Sequence, residues 1–370
     1  MTTGRSADDE GTSMGSIDRR TLLKAAFATS GGLAVGLGPG AATPAAAAPR
    51  IGRTLAKNLQ VPWGIAFLPS GNALVGERDS GDVHVVKRAG GRRRVGNLDV
   101  FSQAGSGEGG LLGLALHPDF GRNRLLYAYL STRSDNRIVR MRFADGALGS
   151  RTVVLAGIPT NLHHNGGGLA FGPDGLLYAS TGDGEVGARA QSRSSLGGKV
   201  LRLTPDGEVP TGNPFGNFTW SLGHRNVEGI AFDNRGTLWA SEFGEKEADE
   251  LNRIEAGANY GWPRVEGRDG AGGYRDPLAQ WSPTSTCSPA GLAVANGRAW
   301  VGALRGECLF SVRLRGPDSG AIKRHFAGRF GRVRAVAKAS DGSLWITTSN
   351  RDGRASPGPG DDKVIRVDLP

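Results

Sequence analysis

Short apolar runs broken by glycine and proline recur along the chain, and one such unit returns six times. Its fullest copy is Gly168-Leu-Ala-Phe-Gly-Pro-Asp-Gly-Leu-Leu-Tyr-Ala-Ser-Thr181. The order is a glycine inside a short apolar strand, a Pro-Asp-Gly turn, then a second strand ending in Ser or Thr. Shorter copies begin at Gly64, Gly113, Gly229 and Gly291, and a sixth, without the glycine, at Ala335; successive starts lie 44 to 62 residues apart. Runs of this length, bounded by turn residues, predict strands. A period of that size with several strands per unit predicts a β-propeller, in which each blade is a small antiparallel sheet packed on the next. Six copies predict an all-β fold, a six-bladed β-propeller.

A ring must close, because an open one leaves two unpaired sheet edges. The segment Ile51 to Val61 is therefore expected to pair with strands near Val364 to Val367. In this reading residues 49–370 form a single propeller, and a pair of β-sandwiches would not explain a motif that recurs throughout. Residues 1–48 read differently. Asp18-Arg19-Arg20-Thr21-Leu22-Leu23-Lys24, a glycine-softened apolar run to Gly40, and small residues from Ala41 to Ala48 have the order of a twin-arginine export signal, cleaved just after Ala46 to Ala48. The run is too short and too rich in glycine for a membrane anchor. The mature protein is expected to be exported, to a periplasmic, cell-envelope or secreted location, without stable membrane insertion.

Composition supports this outline. Sixty glycines and nineteen prolines without a collagen-like period fit many turns between strands. The net charge of +10 comes from scattered basic residues apart from Arg92, Arg93 and Arg94, and no nucleic-acid-binding signature accompanies them. Cys287 and Cys308 flank a hairpin-like segment, where either a disulfide or two buried thiols would fit. Neither gives a metal site, for want of a second cysteine cluster.

Propellers hold ligands on the central axis at one face, where loops leading into the inner strands converge. Polar residues stand just before the repeat starts: Glu108 before the second, His163-His164-Asn165 before the third, His224-Arg225-Asn226 before the fourth, and Arg332 with Arg334 before the sixth. Blade geometry predicts that Glu108, His164, Arg225, Asn226, Arg332 and Arg334 meet at one axial mouth. A histidine there is placed to accept a proton, and the arginines favour an anionic ligand. Glu245, Glu247, Asp249 and Glu250, followed by Asn259-Tyr260, supply the oxygen donors that calcium prefers, without EF-hand spacing. Gly105-Ser-Gly107-Glu-Gly109-Gly110 matches G-x-G-x-x-G only formally, since it leads into a strand rather than a helix. No G-x-S-x-G elbow is present.

PWGIAF, GGLLGLALHPDF, HHNGGGLAFGPDG, GHRNVEGIAF, ADELNRIEAGANYGWP and TTSNRDGR, taken in order, resemble the soluble PQQ-dependent glucose and aldose sugar dehydrogenases from about Leu55 to the C-terminus. The resemblance implies a PQQ cofactor on the axis, calcium beside it, and oxidation of aldose sugars at C1 to the lactone. It makes His164 the general base and assigns Glu108, His164, Arg225, Asn226, Arg305, Arg332 and Arg334 to the cofactor. It assigns Gly244 and Glu245 carbonyls to a PQQ-bound calcium, Glu250 and the Tyr260 carbonyl to a second calcium, and Trp281 to the pocket wall.

Four positions depart from the glucose enzymes: Glu108 replaces glutamine, His163 aspartate, Glu245 proline, and Ala335 the aspartate that often follows the arginine pair. Glu108 and His163 look more like the broader aldose-oxidising branch. The implied substrate is an aldose, with the electron acceptor and the choice between monomer and homodimer left open. Two rival readings stand beside this one, a metal-dependent lactonase-type propeller and a non-catalytic sugar- or protein-binding propeller.

Overall fold

The computed structural model describes residues 48–268, 270 and 272–370. The export-signal reading falls on residues outside these. Six antiparallel sheets follow one another along the chain. The first blade contains Pro62–Phe67, Ala73–Glu77, Asp82–Val86 and Arg92–Asn97, and the second Leu111–Leu116, Leu125–Ser131, Asn136–Ala144 and Thr152–Ile158. The third contains Leu169–Phe171, Leu177–Ser180, Lys199–Leu203 and Thr219–Leu222. Asn226–Phe232, Leu238–Phe243, Asp249–Ile254 and Ala279–Trp281 make the fourth, and Pro289–Ala295, Arg298–Ala303, Cys308–Arg313 and Ile322–His325 the fifth. Val333–Lys338, Leu344–Thr348 and Val364–Asp368 belong to the sixth, whose outermost strand is Arg50–Ala56 from the opposite end of the sequence.

That last pairing closes the ring. Ile51 stands opposite Val367, Thr54 opposite Ile365 and Ala56 opposite Val364, as the edge argument requires. The first strand of each blade is the innermost. Each inner strand contacts the inner strand of the next blade, and that of the sixth contacts that of the first.

The repeat glycines have a common cause. A Cβ on Gly64 would stand 2.5 Å from the Leu112 carbonyl oxygen, on Gly113 2.2 Å from that of Gly167, and on Gly229 2.5 Å from that of Ala290. The missing side chain is the space into which the next blade's backbone fits. The Ser or Thr ending the motif's second strand is explained in the same way. Ser180 accepts the Gly168 amide and donates to the Val227 carbonyl of the fourth blade. Ser241 donates to the Ala290 carbonyl of the fifth. Thr347 accepts the amide of Ala335 and donates to the Pro62 carbonyl at 2.8 Å, joining the sixth blade to the first. Each hydroxyl satisfies buried backbone groups that no ladder partner reaches.

The core is divided among the blade interfaces. Alternation along a strand sends successive side chains to opposite neighbours. Leu126, Ala128 and Leu130 pack toward the first blade, whereas Tyr127 and Tyr129 pack toward the third. Cys287 and Cys308 are buried free thiols in the cluster between the fourth and fifth blades. Trp281 lies in that cluster too, on the outermost strand of the fourth blade, with its ring centroid 5.4 Å from that of Phe310. This corrects its expected place in the pocket wall: an outermost strand packs between blades and does not reach the axis. No helix among the described residues is long and apolar enough to cross a membrane.

Candidate active site

The loops that precede the inner strands frame a cavity of about 1180 Å³ lined by Glu108, His164, Arg225 and Asn226 among others. A second cavity of about 580 Å³ shares Glu108 and Phe243 with it and adds Arg305, Arg332, Arg334 and Arg354. All seven residues expected around the cofactor therefore meet in this paired space. Below them an axial channel runs between the inner strands, and Glu228 and Arg334 border both the channel and the smaller cavity.

His164 sits in a strained turn, its φ of 57° lying in the left-handed region that a histidine seldom adopts. The surroundings enforce it. The His164 amide donates to Glu108 Oε2 at 2.9 Å, and the carbonyl accepts the Gly184 amide at 3.2 Å. Next in the turn, the Asn165 side chain bonds to Asn136, Thr160 and Asn161, and Tyr129 donates to the Asn165 carbonyl. Gly166 donates to Asn226 Oδ1, which leaves the Asn226 amide nitrogen as the group free to serve the cavity.

The ring of His164 is oriented by Asp183. Nδ1 lies 2.8 Å from Asp183 Oδ1, and the Trp262 indole donates to Asp183 Oδ2 at the same distance. Burial would raise the Asp183 carboxyl, but the bond and charge of His164, with Trp262 and the Glu185 amide, hold it below its ordinary range. An ionised carboxylate on Nδ1 places the ring proton there and leaves Nε2 as the lone-pair nitrogen. Asp183 and Trp262 carried no expectation at the sequence level. The available signal was Thr181-Gly-Asp183-Gly, which directly follows the fullest repeat copy at the end of a second strand.

Arg225 presents its cation differently from the other arginines. Its guanidinium lies 5.4 Å from the Trp262 ring centroid, and its Nε is buried without a partner among the described groups. Glu242 accepts the Arg225 amide at 2.5 Å and holds His224 Nδ1 at 2.8 Å, which anchors the turn. Arg332 and Arg334, in contrast, have partners already. Arg332 Nε donates to Asp352 Oδ2 and Arg334 Nη1 to Glu228 Oε2, both at 2.8 Å. Burial pushes the Glu228 carboxyl up to about 7 against the pull of Arg334. Glu228 and Asp352 lie inside motifs legible in the sequence, yet only the fold brings them against the arginines.

The larger cavity is also lined by Glu245, Glu247 and Glu266, with Arg264 and Arg268 from the loop that carries Glu266. Arginines and carboxylates lining one paired space fit an anionic cofactor bridged to a cation. Orphaned groups add to the fit: the unpartnered Arg225 Nε suits an anionic oxygen. Gly244 and Glu245 lie in the turn that carries Glu245 and Glu247 to this cavity, with the Gly244 amide bonded to Asp249. Glu250 lies elsewhere, buried beside Glu242, and burial followed by the Glu242 charge raises its carboxyl. Asn252 donates to both carboxylates while its own Oδ1 is buried without a partner among the described groups. Two buried carboxylates and a spare amide oxygen are a donor set suited to a hard cation. The Tyr260 ring stacks on His224 and its hydroxyl donates to the Arg253 carbonyl, so its main-chain carbonyl is the atom left for the expected role. The close trio of acidic and histidine side chains among the described residues, Glu77, Asp82 and His84, is in the first blade and lines neither cavity.

Comparison with known proteins places this arrangement. A family profile described as "Glucose / Sorbosone dehydrogenase" matches residues 59–357. The PQQ-bound aldose sugar dehydrogenase from Streptomyces coelicolor superposes with a TM-score of 0.84 at 45% identity, covering 87% of this chain and 98% of that one. The aldose sugar dehydrogenase YliI of Escherichia coli is 28% identical over 339 residues, 81% of this chain and 90% of its own. A gluconolactonase from Xanthomonas campestris, at 17% identity and a TM-score of 0.57 over 87% of this chain and 95% of that one, shares the fold alone. Fold and site together define a six-bladed propeller oxidoreductase with its polar centre on the ring axis. The chain belongs to the glucose/sorbosone dehydrogenase family.

Proposed function

We propose that the protein oxidises aldose sugars at C1 to the lactone, using PQQ and calcium. The observation that carries this reading is the His164–Asp183 pair opening on a paired cavity lined by both arginines and carboxylates. Arg225, Asn226, Arg305, Arg332 and Arg334, with Glu108, would hold the cofactor. The turn at Gly244 and Glu245 would hold calcium beside it, and Glu250 with the Tyr260 carbonyl a second ion. When bound, PQQ supplies the quinone that accepts hydride from the sugar, and calcium the Lewis acid beside it.

The chain's own part is proton removal and placement. Nε2 of His164 takes the proton of the C1 hydroxyl, because Nδ1 is engaged by Asp183. The resulting imidazolium is stabilised by the Asp183 carboxylate, which Trp262 and the Glu185 amide keep in place. Glu108 fixes the His164 backbone and so the direction from which Nε2 approaches. The lactonase reading has less support, since the likeness to a gluconolactonase extends to the fold alone.

Reconstitution with PQQ and calcium tests the proposal. The protein should reduce an artificial dye when given aldoses, and His164→Ala should abolish turnover while PQQ still binds. No PQQ binding together with no activity on any aldose would overturn it. Export by the twin-arginine route belongs to the same proposal: Arg19→Lys combined with Arg20→Lys should retain the protein inside the cell, as fractionation would show.

A further inference from the structure

One carboxylate organises the turn that carries Glu245 and Glu247 to the cavity. Glu266 Oε1 accepts hydrogen bonds from four successive backbone amides: Glu245 at 2.7 Å, Lys246 at 3.0 Å, Glu247 at 2.8 Å and Ala248 at 3.0 Å. The preceding amide, Gly244, donates to Asp249 Oδ1 at 3.0 Å, and Asp249 Oδ2 accepts the Ser288 amide. Five consecutive amides thus point at two carboxylates. The packing is close enough to exclude a side chain at Gly244, where a Cβ would stand 2.0 Å from the Ala248 carbonyl oxygen and 2.4 Å from Glu266 Oε1.

The peptide bonds of this turn are trans, the cis bonds among the described residues lying at Trp262–Pro263, Ser282–Pro283 and Asp361–Asp362. In a trans peptide the carbonyl points opposite to the amide of the following residue. With the amides of 245 to 248 turned onto Glu266, the carbonyls of Gly244, Glu245, Lys246 and Glu247 are turned away from it. Phe243, Glu245 and Glu247 line the larger cavity, as does Glu266 itself. A negative charge on the amide side also polarises each peptide, strengthening the negative end of the dipole on the other side.

We propose that Glu266 is the positioning residue of the calcium site, holding the turn so that carbonyls from Gly244 to Glu247 are presented to the ion. This rests on the reading of Gly244 and Glu245 as calcium donors. Glu266 reaches the turn through its amides, so it acts through the backbone and not through the substrate. Glutamine in its place keeps an oxygen that can accept the amides but loses the charge, and alanine loses both.

The test compares the full chain with E266Q and E266A, each stripped with a chelator and saturated with PQQ. Calcium titration by calorimetry should show affinity reduced about 10- to 100-fold in E266A and by a smaller factor in E266Q. Dye reduction by both variants should recover toward the parent rate as calcium is raised, with KM for the aldose unchanged. Because calcium binding also stabilises the folded chain by mass action, circular dichroism of each variant without calcium separates a folding defect from a loss of calcium affinity. A calcium affinity in E266A within about two-fold of the parent overturns the assignment while leaving the calcium site standing. Should E266A fail to fold, unchanged affinity in E266Q together with calcium-independent turnover overturns it equally. A parent protein that takes up no calcium in the presence of PQQ removes both the site and the role given to Glu266.

Discussion

His164 Nδ1 and Asp183 Oδ1 stand 2.8 Å apart, and that contact decides which ring nitrogen faces the cavity. Asp183→Asn keeps the volume but can offer an amide N–H to Nδ1, which favours the tautomer with its proton on Nε2. A base cannot act from a protonated nitrogen. The expected outcome is a fall in kcat of about 10²- to 10⁴-fold, with a much smaller change in KM. Steady-state dye reduction by the reconstituted enzyme measures it, and a kcat within a few-fold of the parent would show that Asp183 does not set the tautomer.

His163 lies at the cavity mouth, its Nδ1 2.8 Å from Glu185 Oε1. It is adjacent to the base but turned onto a different carboxylate. His163→Ala removes one polar group from the approach to His164 and leaves the His164–Asp183 contact in place. KM for a good aldose should rise by about ten-fold or less, the scale of one lost hydrogen bond, with kcat little changed. An equal loss in kcat would place His163 in the chemical step.

Thr347 joins the two ends of the ring, accepting from Ala335 and donating to Pro62. Thr347→Val preserves the shape and leaves both backbone groups buried without a partner. The expected cost is about 1–3 kcal/mol. Denaturant unfolding of parent and variant gives the value directly, and no loss would mean that the closure does not depend on this hydroxyl.

Asp233 holds a turn at the far end of the fourth inner strand. Burial opposes its ionisation, but the Thr237 and Arg235 amides, Arg315 and the Trp239 indole overcome this and hold its carboxyl at about 2. An unfolded aspartate titrates near 3.9. The folded value is the lower one, so its stabilisation is present above about pH 4 and is lost as pH falls through about 2. Asp233→Asn should therefore be less stable than the parent at neutral pH by about 2 kcal/mol, and the gap should narrow between pH 4 and 2. Unfolding at several pH values tests this, and a gap that does not change with pH would refute it.

The parts of the fold that the sequence made legible share one property: they depend on the backbone and recur. Glycines that admit a neighbouring strand and hydroxyls that join blades must appear in every copy that uses them, so Gly168 and Ser180 stand out with Gly229 and Ser241. Site residues immediately before the repeat starts were legible for the same reason, since topology alone carries His164, Arg225 and Arg334 to the axis. Groups that act as partners were not. Asp183 follows a second strand, Glu228 lies within an inner strand, and Asp352 belongs to a loop of the last blade; each has meaning only through what the fold sets against it. Trp281 shows the converse error, an aromatic residue close in sequence to the site but carried outward by its strand.

The closing strand has a consequence for how the protein is made. Val61 donates to Asp362 Oδ2 across 301 positions of sequence, and the strand just before Val61 completes a sheet whose other members lie near the far end of that span. At about 5–20 residues per second of synthesis, the early strand waits on the order of tens of seconds for its partner. The sixth blade, and with it Arg332 and Arg334, is therefore assembled only after the ribosome has added the other five blades.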